Sequence, residues 1–268
     1  GIDTTFVDLR KPNDIKKNIK KNTKLIFGET LGNPGLDVLN IPKVSKIAHD
    51  NNIPLLVDST FTTPYLMQPF SMGADLIFHS ATKFLSGHGV VIGGLLVDGG
   101  KFDWSSSTKF KTLTEPYEGF HDMNFVDEYG PAAYINRARK EGARDFGACM
   151  SPHTAFLVLQ GIETLNLRME RHIQNTRSIV DFLNSHQSVK SVCYPELENH
   201  PDYKLAKDIL PKGCGAVFTF QLEGNKETGK KFIEQLNLFS HLANVGDAKS
   251  LVIHPASTTH HRMSSEAL

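Results

Sequence analysis

Cysteine is scarce in this chain. Its 268 residues hold three, Cys149, Cys193 and Cys214, and no two stand in a Cys-x-x-Cys spacing. Neither a disulfide framework nor a thiolate metal site is written into the sequence, and a reducing, cytoplasmic setting is expected. Net charge is absent as well. Lys+Arg 29 balances Asp+Glu 29, which removes the broad attraction that nucleic-acid and anionic-membrane binding depend on. No apolar run reaches the length of a bilayer span. The longest uncharged stretch near the middle, 146–162, is broken by Pro152, His153 and Gln160, so a soluble protein is expected. Internal repeats, low-complexity tracts and a signal-peptide pattern are all missing. The chain opens on Gly1 and stops just after an expected helix cap at Ser264 or Ser265, and it reads as a piece of something longer.

What is present is an ordinary globular composition, with 40% hydrophobic residues, 13 Pro and 21 Gly. A chain of this length makes one large or two modest domains. Strands are expected at 4–7, 25–27, 53–57 and 76–78, with helices at 13–22 and 41–51 between the first of them. Val90–Ile92 and Leu95–Val97 also read as extended. Apolar strands alternating with amphipathic helices imply a mostly parallel sheet with helices on its faces. In such folds the chemistry gathers at the carboxyl ends of the strands. From 101 to 144 the periodicity fades into a long, partly ordered excursion. Helices resume at 154–160 and 163–183. A smaller α/β unit follows, with strands at 189–193, 217–222 and 251–254 and helices at 204–209 and 226–236.

Two of the strand ends carry groups that could do chemistry. Asp58 closes one apolar run, and Ser80-Ala81-Thr82-Lys83 follows the next. A lone lysine is more often a surface group. This one lies between two hydroxyl residues and a glycine-rich Ser86-Gly87-His88-Gly89, a setting suited to an enclosed amine beside a bound phosphate. Burial lowers an amine's pKa, as Schiff-base chemistry with a carbonyl requires. Asp58 could be a turn or cap residue, or the carboxylate that keeps a pyridinium nitrogen protonated. The spacing Gly87-x-Gly89-x-x-x-Gly93 imitates a dinucleotide fingerprint. It is followed by extended residues and not by a helix, and Asp98 comes too soon to meet a ribose. His254, His260 and His261 match no metal-ligand spacing, and each cysteine has burial as its default role.

The run Val57-Asp58-Ser59-Thr60-Phe61-Thr62-Thr63-Pro64-Tyr65-Leu66, followed by His79-Ser80-Ala81-Thr82-Lys83-Phe84-Leu85-Ser86-Gly87-His88-Gly89, resembles the Cys/Met-metabolism family of pyridoxal-phosphate enzymes, fold type I. The likeness extends through Phe27-Gly28-Glu29, Asn33-Pro34, Arg144-Asp145-Phe146-Gly147-Ala148 and Leu167-Arg168-Met169-Glu170-Arg171-His172. It continues through Leu242-Ala243-Asn244-Val245-Gly246-Asp247 to His254-Pro255-Ala256-Ser257. The resemblance implies an α/β fold. A pyridoxal 5'-phosphate-binding large domain would occupy 1–165, and a smaller C-terminal α/β domain 166–268.

By the same resemblance Lys83 would bond the cofactor, Asp58 its ring nitrogen, and Ser80 and Thr82 its phosphate. Asn33 would lie near the ring's 3-oxygen, Thr60 would line the ring pocket, and Asn244 would help hold the substrate carboxylate. Ser59 stands where most relatives have Asn. The family's glycine-rich phosphate loop, its stacking tyrosine and its Tyr-x-Arg are expected upstream of Gly1. Its carboxylate-binding arginine is expected beyond Leu268. A chain without them is expected to bind cofactor poorly. The long 83–144 segment resembles the members that replace the acetyl ester of O-acetyl-L-homoserine with sulfide or methanethiol. The implied protein is a cytoplasmic homotetramer acting on small molecules. The rivals are a γ-lyase or γ-synthase of the same family, and a non-catalytic binding or oligomerisation fragment.

Overall fold

Short apolar stretches bounded by turns assemble the central sheet. In the computed structural model, which describes residues 1–262, the strands are β1 (Ile26–Glu29), β2 (Leu55–Asp58), β3 (Leu76–Ser80) and β4 (Gly94–Asp98), in the order β1-β2-β3-β4. The first three are parallel and β4 runs antiparallel to β3. Side chains alternate between faces along a strand. Ile26, Leu55, Val57 and Ile77 are therefore buried together on one face. Ile26, Leu55 and Val57 share their core with helix α2 (Ile41–His49), whose Ile41, Val44, Ile47 and Ala48 repeat at helical spacing. Asn40 starts that helix, its side chain accepting the Lys43 N–H at 3.1 Å.

The other face carries Phe27, Leu56, Leu76, Phe78 and Leu96. Leu76, with Leu56 against it, joins a separate cluster of Phe102, Trp104, Phe110, Leu113, Phe120, Phe125 and Ala133. This is the excursion beyond residue 101, and it is better ordered than its sequence suggests. It folds into short helices α4 (Lys111–Thr114), α5 (Phe125–Tyr129) and α6 (Ala133–Arg137), after α1 (Pro12–Asn18) and α3 (Thr63–Leu66) earlier in the chain. Its aromatic rings meet edge-on or stacked, as with Trp104 on Tyr134 at 5.0 Å and 15°, and such pairs add to plain area burial. Rings spaced irregularly along a loop leave no 3.6-residue signal, which is why periodicity missed this core.

Helix α7 (Pro152–Glu163) leads into α8 (Leu165–Ser185). Leu165, Met169, Ile173, Thr176 and Val180 form the buried stripe of α8. Beyond it, β5 (Val189–Cys193) pairs antiparallel with β6 (Thr219–Leu222), flanked by α9 (Tyr203–Ile209) and α10 (Lys226–Glu234). β7 (Ser240–His241) and β8 (Leu251–Val252) form a short parallel pair. No strand forms at 4–7, where Phe6 is 94% exposed and no partner strand lies alongside. The first helix ends at Asn18 and not at 22. Residues 90–92 form a connection and no strand, with Val90 and Ile92 exposed and Val91 packed against the core. Ser264 and Ser265 lie outside the described residues.

If the aromatic cluster is a true core, Phe125→Ala should cost about 3–5 kcal/mol, the usual range for a fully buried phenylalanine. Urea unfolding checks it. A loss under about 1 kcal/mol would mean the cluster only decorates the sheet.

Candidate functional site

Three parallel strands end side by side, and main-chain hydrogen bonds tie the loops that leave them. Thr30 N–H donates to Asp58 O at 2.9 Å, and Ser59 N–H donates to Phe78 O at 2.9 Å. The Asp58 carboxylate accepts the Thr60 N–H at 2.8 Å, while the Thr60 hydroxyl accepts the Ser80 N–H at 2.9 Å. Asp58, Thr60 and Ser80 are thus one connected unit. Beneath them Thr30, Thr62 and Ser59 share a buried run of hydroxyls, Thr30 to Thr62 at 3.0 Å and Ser59 to Thr62 at 2.7 Å. Ser59 is fully buried, and its small hydroxyl is what that run accommodates. Thr63 sits at φ 56°, a left-handed conformation rarely held by a β-branched residue and a mark of strain near working sites.

Lys83 lies on a π-helical turn, Ala81–Leu85, in which its own backbone is non-helical at φ −91° and ψ −127°. Such irregular turns recur at functional sites. The half-buried Lys83 donates from Nζ to Asn244 Oδ1 at 2.5 Å, across 161 residues of sequence. Gly246, at φ 76°, lies against the Lys83–Phe84 peptide so closely that a Cβ there would overlap it. The Thr82 hydroxyl accepts the Gly93 N–H at 3.0 Å and donates to Gly93 O at 3.3 Å. To bond an anion it must turn its proton away from that long second contact. Among the described residues the Ser80 hydroxyl has no protein partner. Asn33 is exposed, its N–H held by Glu29 Oε2 at 2.9 Å.

Two groups escaped sequence reasoning. Glu29 is paired in register with Asp58 on the neighbouring strand, and burial, helped by the Asp58 charge, pushes its carboxyl above the ordinary value. An acid ending an apolar strand was the signal that singled out Asp58, and it applied to Glu29 as well. His79 is buried with Nδ1 unpartnered, and burial pushes its imidazole below the ordinary value against the opposing pull of Asp58.

Among the described residues neither Asp58 nor Lys83 makes a salt bridge. A carboxylate with lone pairs to spare, an amine held only by an amide, and hydroxyls after a strand suit a phosphorylated pyridine aldehyde. The anion would meet the protonated ring nitrogen, the amine the aldehyde, and the hydroxyls the phosphate. The donor set therefore fits pyridoxal 5'-phosphate.

Comparison with known proteins agrees. The model of the Cys/Met metabolism PLP-dependent enzymes matches residues 1–268. An O-acetyl-L-homoserine sulfhydrylase of Leptospira meyeri is 46% identical over 272 residues, covering 98% of this chain and 61% of that protein. A homocysteine synthase of Schizosaccharomyces pombe is 46% identical, covering 99% and 62%. A crystal structure of a putative O-acetylhomoserine (thiol)-lyase from Campylobacter jejuni, carrying N'-pyridoxyl-lysine-5'-monophosphate, superposes with TM-score 0.93 at 36% identity. It covers 97% of this chain and 62% of its own. The chain thus spans about three fifths of the length of the curated relatives it matches.

Glu29 generates a stability prediction. Its folded-state pKa is raised, so ionising it opposes folding, and stability is lost as pH rises through the folded pKa from the ordinary value of 4.5. Glu29→Gln removes that loss. The melting temperature of the variant minus that of the parent should grow as pH climbs from 4.5 to 7. A flat difference would show that Glu29 ionises freely in the folded protein.

Proposed function

The chain belongs to the Cys/Met metabolism PLP-dependent enzyme family, and on that premise we propose that it carries the reaction centre of a γ-replacing transferase. The substrates of this reading are O-acetyl-L-homoserine and sulfide or methanethiol; the products are homocysteine or methionine, and acetate. The observation that carries it is the Lys83 to Asn244 contact at 2.5 Å, beside the Asp58, Thr60 and Ser80 unit. The names of the similar sulfhydrylase and synthase support the choice of substrate.

When bound, pyridoxal phosphate supplies an aldehyde for the substrate amine and a ring that takes up charge when a C–H bond breaks. The residues of this chain do the rest. Asp58 would hold the proton on the ring nitrogen, with Thr60 N–H fixing one of its oxygens. Ser80 and Thr82 would bond the phosphate, Asn33 would lie near the 3-oxygen and Thr60 would line the pocket. The Lys83 Nζ, once free, takes the proton from the substrate Cα and later moves one at Cβ, the work of a positioned general base. Asn244 has an oxygen for Lys83 and an amide N–H₂ left for the substrate carboxylate, so one side chain would align both.

The reading extends to a large domain at 1–165 and a C-terminal domain at 166–268, and to a homotetramer in the cytoplasm. Among the described residues no helix is long and apolar enough to cross a membrane. Phe156, Leu159 and Leu167 expose apolar surface, which supports association.

Borohydride reduction of the intact, cofactor-loaded protein should label Lys83, and label on another lysine would overturn the assignment. Asp58→Asn should leave the fold intact and lower kcat by about 10²–10⁴, the scale of a lost proton-handling group. Supplied with O-acetyl-L-homoserine and sulfide, the protein should form homocysteine far faster than 2-oxobutyrate. Dominant 2-oxobutyrate under saturating sulfide would identify a lyase.

A further inference from the structure

We propose that Arg168, a residue outside the cofactor-binding set, is a positioning residue that holds the Lys83 turn in its working conformation. Arg168 lies in the first turns of α8. That is the electropositive end of a helix, where a cation is unfavourable. Its guanidinium is part-buried and, among the described residues, has no carboxylate partner. Its hydrogen bonds go instead to Gly161 O at 2.5 Å, Phe84 O at 2.8 Å, Leu85 O at 3.4 Å and the Thr164 hydroxyl at 3.1 Å. Phe84 and Leu85 are the two residues directly after Lys83.

Even a half-buried cation without a counter-ion is costly unless its donors are used, and this partial burial pushes it below the ordinary arginine value. The planar fork of arginine aims donors in fixed directions at two separate chain segments, where a lysine offers a single point of charge. One segment is the last turn of α7, whose carbonyl ends attract a cation. The other is the irregular turn. Two glycines make the approach feasible. A Cβ on Gly87 would overlap the guanidinium, and one on Gly161 would overlap the Leu85 and Ser86 carbonyls. One helical turn further on, His172 packs edge-on against Phe84 at 5.8 Å and 81°. The same face of α8 therefore meets the turn twice.

A π-helical turn with a non-helical residue inside has few internal bonds to define it. Here Ser86 N–H to Ala81 O at 3.2 Å and Gly87 N–H to Lys83 O at 2.9 Å close it. The Ser86 hydroxyl adds bonds to the Thr82 and Lys83 carbonyls at 3.1 and 3.3 Å, and Arg168 is the external donor to the Phe84 and Leu85 carbonyls. Removing it leaves these carbonyls unpaired and lets the turn relax toward ordinary helix, which moves Lys83 away from Asn244.

The inference rests on Lys83 being the reactive lysine, and its test keeps the two apart. In the cofactor-free intact protein, Arg168→Met should raise amide hydrogen exchange at Ser86 and Gly87 by about tenfold or more. Arg168→Lys should fall between. In the loaded protein, Arg168→Met should lower kcat more than it raises KM, shift the pH midpoint of the cofactor's visible absorption, and recover partly with added guanidinium ion. A simple helix cap would change melting temperature without moving exchange at 86–87 or the absorption midpoint, and that outcome overturns the proposal. Should Arg168→Met not fold, the same readings on Arg168→Lys decide. Borohydride labelling of another lysine in the parent protein would sink the assignment of Lys83, while the exchange measurement still decides what Arg168 holds.

Discussion

The contact between Lys83 and Asn244 is the joint on which the rest of the molecule converges. It links the end of the central sheet to a segment 161 residues away, and neither partner has a local reason to be where it is. The sheet brings Lys83 to the carboxyl end of β3. The connection between β7 and β8 brings Asn244, and Gly246 two residues on presses its bare backbone against the same turn. A side chain at 246 would force the two segments apart and break the contact at its base.

Beside this joint one buried set of polar groups is fully paired. The hydroxyls of Ser59, Thr62 and Thr30 satisfy one another where water does not reach, and so fix the loops after β1 and β2 without a charge. Unpaired buried polar groups are costly, so such a run is rigid by necessity. Above it Glu29 and Asp58 are adjacent acids on parallel strands. Burial raises the carboxyl of Glu29, with the Asp58 charge adding to the effect, and in the proposed reading Asp58 is the acid that would meet the ring nitrogen.

Electrostatics and packing divide the work differently on the far side of the lysine turn. Arg168 and His172 come from α8, whose buried stripe is set by Met169, Ile173 and Val180. The apolar stripe positions the helix, and the rotation this imposes delivers the guanidinium to the carbonyls after Lys83. Core packing and site geometry are therefore not separable here.

Much of this was legible in one dimension. Apolar runs ending in Asp58 and His79 predicted parallel strands with chemistry at their carboxyl ends, because burial on both faces and chain reversal leave that signature. Helices expected at 154–160 and 163–183 from 3.6-residue spacing form at 152–163 and 165–185, and the resemblance in the motifs around Asp58 and Lys83 pointed to the cofactor. Tertiary structure decided the rest. The strand expected at 4–7 has no neighbour to bond, and a strand without a partner is not a strand. The reversal of β4 depends on where its connection lands. The aromatic core at 102–134 arises from rings that meet in space without meeting in sequence. Glu29 meets Asp58 and Arg168 meets the Lys83 turn across the fold, as Asn244, which the resemblance singled out, meets Lys83; distance between residues far apart along a chain is a quantity that no local pattern encodes.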